Sequence, residues 1–176
     1  SQRAFVVPFA GVPAPGGAIY ADDTLVLMIR FKIARAGDEE AQGRLDIQAG
    51  GDQLGMEDGW IFAAGTDPKR LRMLVGSPDP AGSYTLQAED KKVAYRAKLT
   101  ADAPTRTVDV AIPYITLTDR QEWAKLRDIK FEAALDAVGR YWQKRVAEGT
   151  QIITPEPMIN DYYKAHVSHL LLNTDR

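Results

Sequence analysis

Residues 131–176 read FEAALDAVGRYWQKRVAEGTQIITPEPMINDYYKAHVSHLLLNTDR, and they contain the only long helical periodicity in the chain. Apolar side chains recur there at spacings of four, three, four and four, which predicts one face of an α-helix: Phe131, Leu135, Val138, Trp142 and Val146. A second helix is predicted after Pro157, because the same rhythm returns in Ile159, Tyr163, His166 and Leu170.

The segment between these helices has the composition of a helix-to-helix connection. It begins with Gly149, which suits the end of a helix, and it ends with Pro157, which suits the first helical turn. Two helices joined in this way form a hairpin with exposed apolar faces. The hairpin must therefore lie on the preceding sequence or belong to a larger assembly.

The preceding sequence has the period of β-strands. Its first strong strand is Thr24 to Arg35, and the first half, Leu25 to Ile29, is apolar on both faces, so both faces are expected to be covered. Arg30 and Lys32 give its second half a polar face. Further strands are predicted over 5–9, 44–48, 60–64, 71–75, 84–88, 93–99 and 108–112. Short spacers at 89–92 and 102–105 predict an antiparallel meander of the last three runs.

The period changes near residue 118, where the capping-box form Thr118 to Gln121 opens a helical segment with a break near Asp128. The sequence therefore predicts a mainly β fold, an antiparallel β-sandwich followed by a C-terminal helical hairpin. We expect a sandwich domain over 1–117 and a helical region over 118–176.

Composition excludes several classes of function. The 176 residues carry 22 basic and 24 acidic side chains, a formal charge of -2, so nucleic acid is not an expected partner. The chain has no cysteine, which excludes disulfides and thiolate chemistry but leaves the compartment open. No apolar run approaches the roughly 18 residues that span a bilayer, so membrane association is not expected. No charged-then-apolar leader is found at Ser1, so we expect either a cytosolic protein or one from which a signal has been removed.

Two candidate ligand contacts lie at the end of a glycine-rich, acidic stretch, residues 50–59. The stretch is predicted to be a flexible loop whose acids, Asp58 among them, could hold a cation or a sugar hydroxyl. A plain surface loop is the favoured alternative, because the spacing matches no calcium-binding loop. Trp60 follows it directly, and an indole at a sheet rim offers the flat apolar face on which sugars stack. The same side chain would serve equally well in a core.

Paired carboxylates are the chemistry of glycoside hydrolysis, and Glu156 with Asp161 is the best local pair. Both flank the start of the last predicted helix, where acidic side chains also serve simply to stabilise the helix. His166 and His169 are three apart and could bind a metal, but packing within a helix interface is the favoured interpretation. No metal site or cofactor is predicted.

Three segments of the C-terminal quarter resemble the entry into the helical toroid of six-hairpin glycosidases: 142–146 (WQKRV), 152–161 (IITPEPMIND) and 170–176 (LLLNTDR). In that superfamily an N-terminal β-sandwich leads through a linker helix into a barrel of paired helices. The resemblance covers about 45 residues. It implies that this chain is the non-catalytic front piece of a glycoside hydrolase.

The resemblance also implies the partners. The catalytic carboxylates of these enzymes lie inside the toroid, so no residue of this chain is expected to be catalytic, and the expected partner is the downstream toroid of the same protein. A bacterial secreted or periplasmic location follows from the same likeness. The alternatives are a free-standing carbohydrate-binding module and a structural interaction domain. In the chain alone, the last helix would fray or recruit a second copy to cover its apolar flank.

Overall fold

The computed structural model describes residues 1–14, 17–20, 23–49, 53–115, 117–148 and 153–172, with backbone alone over 167–172. Within these ranges the strands are β1 (Gln2–Pro8), β2 (Leu25–Ala34), β3 (Ala41–Gln48), β4 (Gln53–Glu57), β5 (Trp60–Ala64), β6 (Leu71–Gly76), β7 (Tyr84–Glu89), β8 (Lys92–Leu99) and β9 (Thr105–Pro113). The helices are α1 (Arg120–Asp128), α2 (Phe131–Ala147) and α3 (Pro157–Leu172). The predicted fold class, antiparallel β followed by helices, is confirmed.

The strands form two antiparallel sheets. Sheet A has six strands in the order β1-β2-β9-β6-β5-β4, and sheet B has three in the order β3-β8-β7. Between them lies an apolar core that includes Ile61, Val75, Val93, Tyr95, Val108 and Val110. The arrangement is that of a sandwich, because each sheet buries one alternating face against the other.

Sheet A carries a second core on its outer face, where α1 and α2 cover it. This core includes Val26, Met28, Leu74, Ala111, Trp123, Leu126, Phe131 and Val138. Odd-numbered residues of β2 such as Ile29 and Phe31 pack in the inter-sheet core, whereas Val26 and Met28 point to the helices. The prediction that the first half of β2 is covered on both faces is confirmed, and the described residues form three layers: sheet B, sheet A and the helices.

The predicted meander of the last three strands is half correct. Strands β7 and β8 pair as a hairpin in sheet B, but β9 lies in sheet A between β2 and β6. The physical reason is the burial of β9 on both faces. Val108 and Val110 fill the inter-sheet core while Ala111 packs toward the helices, so this strand is stable only at the centre of the covered sheet.

The helical region begins one residue later than the sequence pattern indicates. Asp119, rather than Thr118, caps α1: its side chain accepts a hydrogen bond from the backbone of Gln121, and Glu122 completes the capping box. The expected break near Asp128 separates α1 from α2, and Pro157 is the first residue of α3. Gly149 lies outside the described residues.

The predicted flexible loop is wrong for residues 53–57, which form β4. Glu57 pairs with Trp60, so Asp58 and Gly59 make a two-residue hairpin turn in which both have positive φ, 49° and 78°. An Asp-Gly turn of this kind matches the twist of the strands it joins. It places Asp58 and Trp60 at one end of sheet A. Residues 50–52 of the predicted loop lie outside the described ranges.

Replacing Gly59 by alanine should lower the free energy of unfolding by about 1–2 kcal/mol, because an L side chain is strained at this φ although no atom lies within 4 Å of the added Cβ. Chemical denaturation measures the change. Gly139→Ala is the matched control. That glycine also has open space around it but lies inside α2, so alanine should raise stability by about 0.5–1 kcal/mol. Equal changes in the free energy of unfolding at the two positions would contradict a positive-φ turn at Gly59.

Candidate functional site

A cleft of about 650 Å³ opens between the outer face of sheet A and the junction of α1 with α2. Its volume is in the range of small-molecule sites. It brings together Asp58 and Trp60, two of the residues that the sequence singled out. The remaining lining residues are Arg30, Ser77, Pro78, Asp109, Ala124, Arg127, Asp128, Ile129, Lys130, Phe131 and Glu132.

Trp60 lies half-buried in this cleft, on the first residue of β5. Its ring covers Gly76 on the neighbouring strand β6, so closely that a Cβ at position 76 would lie 2.3 Å from the indole. The glycine therefore allows the ring to lie against the strand. The indole N–H has no acceptor among the described residues, yet it is not sealed from solvent.

The floor of the cleft is an ion pair between neighbouring strands. Arg30 of β2 and Asp109 of β9 face each other in register, and the guanidinium makes two hydrogen bonds of 2.6 Å to the carboxylate. Their side chains are only 14% and 10% exposed. The hydrogen bonds that Arg30 donates to Asp109 raise the pKa of Arg30, against the opposing effect of burial. Both oxygens of Asp109 are engaged, so this carboxylate is not free to act on a substrate.

The first turn of α2 is fastened to this floor. Glu132 accepts hydrogen bonds from Arg3 at 2.5 Å and from Arg30 at 2.8 Å, and the Arg30 guanidinium lies 4.2 Å from the centre of the Phe131 ring. The hydrogen bond from Arg3, followed by its charge and that of Arg30, lowers the pKa of the Glu132 carboxyl. Arg30 thus joins β2, β9 and α2, which fixes the inner wall of the cleft.

The opposite wall is fastened to the β4–β5 turn through two arginines of α1. Arg127 contacts the Asp58 carboxylate at 2.7 Å, and Arg120 contacts Glu57 at 2.6 Å. The Arg120 guanidinium also lies 3.8 Å from the centre of the Trp123 ring, which is buried. These pairs hold Asp58 at the rim of the cleft, where 73% of its side chain is exposed.

Two charged residues at the rim, Asp128 and Lys130, have no partner among the described residues. Asp128 ends α1 and Lys130 precedes α2, and neither side chain makes a hydrogen bond or ion pair with the described residues. Both are exposed. Together with the indole N–H of Trp60, they supply the groups with which this cleft could bind a polar molecule.

Glu156 and Asp161 lie elsewhere, at the start of α3, and they do not line this cleft. Glu156 precedes the helix and its carbonyl accepts the backbone N–H groups of Ile159 and Asn160. The Asn160 side chain bonds both backbone groups of Thr154 at 2.8 and 3.0 Å, which orders the turn into α3. Both roles predicted for Glu156, a ligand contact and a favourable charge near the start of α3, stay predictions.

The predicted helix interface of His166 is not formed within this chain: its side chain is exposed, and its ring stacks on that of Tyr162 in the same helix, with the ring centres 5.9 Å apart. The side chain of His169 lies outside the described part. Among the described residues there is no group of three or more His, Asp or Glu side chains suited to a metal ion. In that same part of the chain, no helix is long and apolar enough to cross a membrane.

Sequence reasoning missed the residues that build the cleft around Asp58 and Trp60. Arg30 was assigned to the polar face of an alternating strand, and Asp109 was not singled out. Asp109 lies between Val108 and Val110, where an alternating strand has its polar face, so its burial follows only from the central position of β9 in a sheet covered on both faces. Only the fold identifies its partner, Arg30.

The described residues define the fold class: a mainly antiparallel β protein with two sandwich-like sheets followed by three helices. Comparison of the chain with protein-family models, with curated proteins and with solved structures gave no match.

Proposed function

We propose that this chain is the non-catalytic β-sandwich region of a larger glycoside hydrolase, in which it braces a helical toroid formed by the rest of the protein. Two features support the proposal. The order of elements, two sheets followed by linker helices and a further helix, agrees with the order in the six-hairpin glycosidases that the C-terminal segments resemble. The second feature, on which the proposal mainly rests, is the exposure of apolar side chains on α3.

Helix α3 presents large apolar side chains to solvent. Met158 is 81% exposed, Tyr162 71% and Ile159 50%, and Ile153 in the preceding linker is 88% exposed. Helices α1 and α2, in contrast, bury Trp123, Leu126, Phe131 and Val138 against sheet A. Each Å² of apolar surface left in water forfeits roughly 25 cal/mol, so a helix of this kind is stable when another element covers it.

The proposed cover is the next helix of the same protein. An open groove between α2 and α3 is lined by Gly139, Trp142, Val146 and Ala165, among others, and its walls are mainly apolar. Small residues such as Gly139 and Ala165 allow close approach of a neighbouring helix. In this arrangement α2 joins the two regions: its buried face holds the sandwich, and its α3 side begins the toroid.

The bracing role is tested by glycosidase assays on two proteins. The isolated chain should not hydrolyse aryl glycosides, whereas the product of the complete gene should, because the catalytic carboxylates are expected in its helical region. Turnover by the isolated chain that is lost on Glu156→Ala or Asp161→Ala would contradict the proposal. A complete gene without further helical hairpins after residue 176 would also contradict it.

A free-standing carbohydrate-binding module is the second candidate. The observation that favours it is the cleft itself, which combines a half-buried indole with charged groups of both signs. In this alternative, α3 would cap the chain by packing on a second copy. Concentration-dependent dimerisation that protects α3, in a gene product ending with this helix, would decide for the module.

A further inference from the structure

We draw no further inference here: the strongest candidate, the free edge of β1 in sheet A with the exposed side chain of Val6 beside it, carries none because nothing in the described part of the structure shows what covers it.

Discussion

Replacing Trp123 by alanine is expected to lower the free energy of unfolding by about 3–5 kcal/mol, the range for removing a large aromatic side chain from a core. The indole is only 1% exposed and packs on Phe62 with ring centres 5.1 Å apart. The Arg120 guanidinium covers it at 3.8 Å. Its loss would open a cavity between α1 and sheet A, in a fold whose total stability is of the order of 5–15 kcal/mol.

Urea denaturation followed by circular dichroism measures this change. The matched control is Trp142→Ala, which removes the same side chain from a half-buried position on α2. Trp142→Ala should lower the free energy of unfolding by less than half as much as Trp123→Ala. A loss below about 1 kcal/mol for Trp123→Ala would mean that the helices are not an integral layer of the fold.

The substitution Asp109→Asn is expected to lower the free energy of unfolding by about 3–5 kcal/mol, because it leaves the guanidinium of Arg30 largely buried without its main counter-charge. Glu132 contacts Arg30 as well, but its carboxylate is more than half exposed and also binds Arg3. It can therefore replace only part of the lost interaction. Differential scanning calorimetry or urea denaturation measures the loss.

The matched variant for this pair is the double replacement Arg30→Met with Asp109→Val, which removes both charges together. It should recover most of the stability lost in Asp109→Asn, since neither buried charge remains unpaired. A double variant less stable than Asp109→Asn would contradict this account. It would show that Arg30 stabilises the start of α2 mainly through Glu132 and Phe131.

The fold class could be predicted because its signals are local. The alternation in β2 and the 3.6-residue period in α2 depend only on neighbouring residues, and both correspond to real elements. The apolar character of the first half of β2 on both faces indicated that both are covered, although it did not indicate by which elements. The path of β9 could not be read in the same way, because a short connection fits a hairpin within one sheet or a crossing between two sheets.

The β4–β5 hairpin had a readable signal that composition obscured. Asp58-Gly59 is a strong turn dipeptide, but the surrounding glycines and acids favoured a loop interpretation of the whole stretch. Once the hairpin forms, Asp58 and Trp60 reach the same cleft. Their partners Arg127 and Gly76 come from distant parts of the chain, so no local pattern could have joined them.

The central claim is that the apolar face of α3 packs against a further helix of the same protein, which this chain alone does not supply. Amide hydrogen exchange on the monomeric chain tests it most directly. The account predicts that amides of α3 exchange about a thousandfold faster than those of β2 and β9, and that the complete gene product protects them. A monomer whose α3 exchanges as slowly as the central strands would contradict the claim.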